Sequence, residues 1–284
     1  MLIGLSGHKG TGKDTVARII QILTAQPDAL DKYTEEELTG DLLISKVWDS
    51  PVFVTKSFAE KLKRFVASIL DVSMTELERL KRENEPLPEI WWHYRIAGKI
   101  YRRGHFKGKD HDMAEDRYLV KTTVRHLLQW VGTEAGRDII HPDVWINALF
   151  SGYREQYVTG HTLVDPGVFE DDDYEEDWSK ALPNWIITDV RFPNELKAIK
   201  ERDGIIIRIE GPERDLEGNE LEAKEDLHES ETALDGHDWS HEYTLYNTEG
   251  LLILINNVRV ILKYLDLLPG NGKATPNMRP PNCC

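Results

Sequence analysis

Cysteine is almost absent from this chain. The two it has, Cys283 and Cys284, are its last two residues. Adjacent terminal cysteines cannot staple a core and do not have the spacing of a metal site. They suggest a disordered tail in a reducing compartment. Long apolar runs are missing too, and no stretch of eighteen such residues predicts a membrane span. No basic leader or cleavage pattern precedes the first apolar run, so the expectation is a protein that is not secreted and works in the cytoplasm. Positive charge is in deficit. The net charge of −15 opposes a non-specific nucleic-acid binder, though not a nucleotide, which needs only a local cluster of positive groups. No internal repeat is present. What remains is an ordinary balance of 40% hydrophobic and 30% charged residues over 284 positions. That suffices for one large α/β domain with insertions or for two small ones.

The chemistry starts near the N-terminus. Met1–Ser6 is a short apolar run, and Val16, Ala17, Ile19, Ile20 and Leu23 are spaced like the buried stripe of a helix. Between them lies Gly7-His8-Lys9-Gly10-Thr11-Gly12-Lys13-Asp14-Thr15. Strand, glycine-rich turn and helix, with the spacing G-x-x-x-x-G-K, is the context of a phosphate-binding P-loop. Glycines such as Gly10 and Gly12 let backbone N–H groups converge on a phosphate, and the helix dipole adds to them. Lys13 supplies a mobile charge for β- and γ-phosphates. Asp14 stands where a hydroxyl normally meets Mg²⁺, and Thr15 follows. Asp14 would hold Mg²⁺ through water or accept a proton. The alternative is a chance glycine-rich turn with a surface Asp.

Further strands are expected over 51–59, 185–189, 205–210 and 243–247. Helices are expected over 60–70, from Pro193 to Gly204, and over 251–268. The helix over 60–70 carries Leu62, Phe65, Val66, Ile69 and Leu70 on one face. Residues 26–50 read as an irregular or partly helical connection. The segment 75–121 mixes Trp91, Trp92, Tyr94 and Tyr101 with Arg95, Lys99, Arg102, Arg103, Lys107 and Lys109. That suits either nucleic acid or a solvated insertion packed on its own aromatics. On the helix expected over 122–133, Arg125 and Gln129 are four apart and share a polar face, fit for a base or phosphate or merely exposed. A turn at Pro142 leads into another helix, on which Trp145 is a core anchor or a base-stacking platform. Seven acids fill the eight positions 170–177, a solvated loop. Trp185–Phe192 reads as a central strand with Asp189 at its C-terminal rim, where P-loop enzymes hold Mg²⁺. Arg191 is two residues on, within reach of the same chamber. Residues 211–232 have the composition of a lid or of an ordinary loop.

Four separated segments together carry a resemblance. They are Gly7–Thr15, Val124–Thr133, Ile187–Glu195 and His228-Glu-Ser-Glu231. In order and content they are similar to the deoxynucleoside monophosphate kinases of bacteriophages. The resemblance covers most of the chain, excepting 26–50, 80–120, 151–182 and the tail. It implies a P-loop NTPase fold: three-layer α/β/α with a parallel five-stranded sheet, a helical acceptor-binding insertion and a lid. Residues 1–268 would form one kinase domain, with core 1–25, 51–70 and 183–268, insertion 71–150, acidic loop 165–180 and lid 211–232. Residues 269–284 would be a disordered tail. It implies transfer of the ATP γ-phosphoryl group to a dNMP. Arg125, His126, Gln129, Gly132 and Thr133 would form the acceptor site, with Trp145 packed on the acceptor base. Asp189, Arg191 and Glu195 would line its sugar and phosphate. Lys13, Asp14, Arg125 and Arg191 would be catalytic, and Mg²⁺ would be held by Asp14, Thr15 and Asp189. ATP and a dNMP are then the expected partners, without stable nucleic-acid binding or a membrane, and with room for a homodimer. Two rival readings stand beside this one. A phosphomevalonate kinase shares the Gly-Lys-Asp ending, and a non-catalytic nucleotide- or DNA-binding protein would use 91–109.

Overall fold

In the computed structural model the described residues are 1–45, 52–96, 99–102, 118–159, 162–164, 179–212 and 232–268. The chain divides into two compact units. One takes Met1–Phe58 and the described residues from Leu149 on; the other is Ala59–Ala148.

The first unit is built on a five-stranded, all-parallel sheet, an arrangement consistent with a P-loop kinase fold. Its strands are β1 (Leu2–Ser6), β2 (Val54–Lys56), β9 (Trp185–Val190), β10 (Ile205–Glu210) and β11 (Tyr243–Tyr246), in the spatial order β11-β10-β1-β9-β2. β1 lies at the centre and is buried at every residue, as a parallel strand covered on both faces must be. Ile3 and Leu5 point to one face. There they join the stripe of α1 (Lys13–Ala25) and that of the final helix α8 (Leu251–Tyr264) in one apolar cluster. Gly4 points to the other face, toward Ile199 of α7 (Pro193–Lys200). A Cβ on Gly4 would lie 2.7 Å from the Ile199 side chain, so this glycine is what lets α7 approach. A short α2 (Gly40–Ser45) also packs against α1.

β2 is shorter than the strand expected over 51–59. It spans three residues at the sheet edge, and Pro51 lies outside the described residues. The final helix stops at Tyr264, four residues before the expected end, and Asp266 at φ 60 turns the chain out of it. A small antiparallel sheet not anticipated from sequence joins β6 (Gln156–Thr159), β7 (Thr162–Val164) and β8 (Ser179–Ala181). The acidic stretch 170–177, most of the lid segment, His228, Glu231 and the tail lie outside the described residues.

The second unit packs α3 (Ala59–Leu70), α4 (Met74–Glu83) and α5 (Val124–Gln129) around Val66, Ala67, Leu77, Leu87 and Val124. Leu62, Val66 and Leu70 face that core. Phe65 and Ile69 do not, being 53% and 43% exposed, so the buried stripe of α3 is narrower than the periodicity suggests. Ser73 caps α4 by accepting from the Glu76 N–H. A three-stranded antiparallel sheet, β4-β3-β5, is inserted between α4 and α5. Its strands are β3 (His93–Ile96), β4 (Lys99–Arg102) and β5 (Tyr118–Val120). α5 runs directly into an eleven-residue π-helical stretch, Trp130–Ile140, before α6 (Val144–Phe150). The wider winding ends where His141 N–H donates to Gly136 O, five residues back.

Candidate active site

The glycine-rich loop leaves the C-terminal end of β1 and closes at the start of α1. Gly7, Gly10 and Gly12 all have positive φ, at 152°, 83° and 95°. At Gly7 the requirement is steric as well. A Cβ there would lie 2.6 Å from the carbonyl oxygen of Ile209 on the neighbouring strand. Lys13, the first residue of α1, folds back so that Nζ donates to the carbonyls of Gly7 (2.7 Å) and His8 (2.6 Å). Thr11 is buried and donates to the same His8 carbonyl.

Two contacts from distant sequence brace the loop, and neither carries a motif. Asn247, just past β11, donates from Nδ2 to Thr11 O at 3.0 Å, while its own N–H is held by Glu210 O at 2.7 Å. His8 Nε2 lies 3.3 Å from an Asp235 carboxylate oxygen. Asp14 is exposed in the first turn of α1, where a carboxylate also favours the helix N-terminus. Thr15 is half-buried beside it.

Asp189 stands at the same edge of the sheet. Between the pairs Gly4↔Ile187 and Ser6↔Val190, β9 advances one residue more than β1. The resulting bulge falls on Thr188 and Asp189. Bulges re-aim side chains at the end of a strand. Here the Asp189 carboxylate accepts from Ser57 Oγ at 2.6 Å and from Phe58 N–H at 2.8 Å. Glu195 is 2% exposed, and its carboxylate accepts from the N–H groups of Arg191 (2.8 Å) and Phe192 (3.1 Å). It therefore closes the N-terminus of α7 and fixes the backbone that carries Arg191. The acid that the resemblance puts against a sugar is spent, at least in part, on this cap.

On the helical unit, Arg125 and Gln129 are exposed on one face, as their spacing predicts. Arg125 Nε donates to Lys81 O at the last turn of α4. His126 completes a capping box with Thr123, its Nδ1 accepting from the Thr123 N–H. Gly132 is buried against Leu62, and Thr133 is half-buried. The half-buried Trp145 donates from Nε1 to Gly132 O at 2.8 Å. Its ring lies so close to Gly136 that a Cβ there would be 2.9 Å away. The π-helical winding and these two glycines make the seat for the indole. A Trp145→Ala chain is expected to lose about 2–4 kcal/mol of stability, a little under the roughly 3–5 kcal/mol of a fully buried aromatic because Trp145 is only half-buried. Chemical denaturation checks this; an unchanged midpoint would return Trp145 to the role of a base platform.

The donors proposed for Mg²⁺, Asp14, Thr15 and Asp189, offer only oxygen, which suits a hard cation. Among the described residues no group of three or more His, Cys, Asp or Glu forms a metal cage. Mg²⁺ needs none, since it keeps waters and takes one or two carboxylates with substrate phosphates. No helix among the described residues is long and apolar enough to cross a membrane.

No protein-family model matches the chain. It is similar to the deoxynucleoside-5′-monophosphate kinase of Escherichia phage T5, at 25% identity over 215 residues, covering 71% of this chain and 72% of that one. It is also similar, at 24% identity over 236 residues and 82% of each chain, to a protein of Acanthamoeba polyphaga mimivirus provisionally named a deoxynucleotide monophosphate kinase.

Proposed function

We propose that the chain is an ATP-dependent deoxynucleoside monophosphate kinase. The observation that carries this reading is the loop Gly7–Gly12 with Lys13, set at the C-terminal edge of a parallel sheet and next to Asp189 on its bulge. In this reading the loop N–H groups and Lys13 hold the donor phosphates. Lys13 exchanges its two loop carbonyls for phosphate oxygens when ATP arrives. Asp14 or Thr15, with Asp189 through water, would hold Mg²⁺, which when bound neutralises charge on the β- and γ-phosphates. Arg191 offers a further positive charge at the rim where Asp189 sits.

The helical unit offers the acceptor side. Arg125 and Gln129 are the exposed polar pair, with His126 beside them on α5 and Gly132 and Thr133 on the π-helical stretch that continues it. Trp145 enters as the anchor of that helix. Positioning and charge neutralisation are most of what phosphoryl transfer asks of a protein. The names of the two relatives support a nucleotide acceptor over a phosphorylated alcohol.

The test is coupled ADP release with Mg-ATP against a panel of dNMPs, NMPs and mevalonate phosphate. Turnover with one or more dNMPs, and none with mevalonate phosphate, is the expected result. No ADP with any nucleotide would end the proposal.

A further inference from the structure

The sheet inserted between α4 and α5 gathers polar groups that the reading above leaves unused. His93 and Arg95 alternate along β3 and so share one face of it. Both reach Trp130, the first residue of the π-helical stretch. The His93 ring meets the indole edge-on, with centroids 5.3 Å apart, and the Arg95 guanidinium carbon lies 5.0 Å from the indole centroid. His126 stacks on the same indole at 5.4 Å and 17°. His126 and Trp130 each follow by one residue the exposed pair Arg125 and Gln129, so the cluster flanks that face.

Two atoms here are buried without a hydrogen-bond partner among the described residues: Nε2 of His93 and Nε of Arg95. His93 is 9% exposed. Its Nδ1 is 3.4 Å from Thr122 Oγ1, whose own proton goes to Trp91 O at 2.7 Å. The ring proton therefore sits on Nδ1, and Nε2 presents a lone pair. Burial holds His93 below the ordinary imidazole range; a hydrogen bond with the Trp91 backbone pulls the other way, and the nearby Arg95 and His126 add to the effect of burial, which favours the neutral ring. Leaving such atoms unpaired is costly, and a partner that satisfies both must bring a donor for His93 and an acceptor for Arg95. Unprotonated phosphate brings acceptors only, which the His93 lone pair repels. The edge of a nucleobase brings an N–H next to a ring nitrogen or carbonyl, on a planar body suited to packing against rings.

We infer that His93 and Arg95 read the base edge of the acceptor nucleotide, on the Trp130 and His126 side of the acceptor helix. The inference rests on the kinase reading and names the residues that select its substrate. Arg95 donates from Nε to an acceptor on the base, and His93 Nε2 accepts from an N–H of the same base.

His93→Phe keeps a ring and removes the lone pair; Arg95→Met keeps the reach and removes the donor. Each is expected to lower kcat/KM for the preferred dNMP about 10- to 100-fold and to flatten the preference among bases, with KM for ATP unchanged. An unchanged base preference overturns the inference, and so does an equal loss toward every nucleotide. A second measurement needs no variant. In wild-type protein labelled with ¹⁵N-histidine, the His93 Nε2 resonance is expected to shift on saturation with a 2′-deoxynucleoside or dNMP and to stay put with ATP alone. A silent His93, or one that answers ATP, overturns the assignment. A chain that turns over dNMPs with a silent His93 keeps the kinase reading and loses this one. A chain that turns over none while His93 answers nucleosides loses the kinase reading and keeps His93 as a nucleoside contact alone.

Discussion

A Lys13→Ala chain is expected to fold, to melt close to the wild type, and to lose about a thousandfold in kcat. That loss corresponds to roughly 4 kcal/mol of transition-state stabilisation at 1.36 kcal/mol per tenfold. The folding half of this expectation comes from where Nζ sits. Its hydrogen bonds go to the carbonyls of Gly7 and His8, both only half-buried, so water can replace the ammonium there. The other braces of the loop remain: Thr11 on His8, Asn247 on Thr11, and His8 on Asp235. The catalytic half follows from the Lys13 ammonium lying against the loop backbone, where charge on the transferring group must be met. Coupled ADP release and a thermal melt, run on the same preparation, check both. Near-normal turnover would remove the donor site from this loop.

Asp189→Asn is expected to cost about a hundredfold in Mg²⁺-dependent turnover, roughly 2.7 kcal/mol, while changing stability by less than about 1 kcal/mol. The substitution separates two roles of one side chain. Asp189 tethers the rim of β9 to the end of β2 by accepting from Ser57 Oγ and Phe58 N–H. An asparagine keeps that tether: its carbonyl accepts from Phe58, and its amide donates to the serine oxygen. Only the charge is lost, and with it the pull on a cation. A magnesium titration of kcat beside a melting curve decides. Parallel loss of stability and activity would make Asp189 a structural tether alone; unchanged turnover at every Mg²⁺ concentration would take it out of the metal site.

Much of the parallel-sheet unit was legible because its cues are local. Short runs dominated by apolar residues mark β1, β9 and β10. The 3.6-residue period marks α1, and glycines before Lys13 mark the turn. Backbone sterics and burial act within a few residues there, so the chain announces them. The helical unit was less legible. β3 to β5 are short strands stabilised by pairing with one another; the aromatic and β-branched residues of Trp91–Tyr101 suit a strand, but that preference depends on cross-strand partners that the sequence does not identify. The π-helical winding of Trp130–Ile140 has no periodic signature of its own. It goes with the seating of Trp145 on Gly132 and Gly136.

By itself, then, the sequence determined the loop, the lysine that follows it, the order of the main elements and the shared face of Arg125 and Gln129. Tertiary structure alone decided which atoms those groups meet. It turned Asp189 with a bulge, spent Glu195 on a helix cap, brought Asn247 across 236 positions to Thr11, and set His93 and Arg95 against Trp130. The reason is physical. Conformational preference is settled between near neighbours, whereas a hydrogen bond or a ring contact between distant residues exists only once the chain has closed on itself.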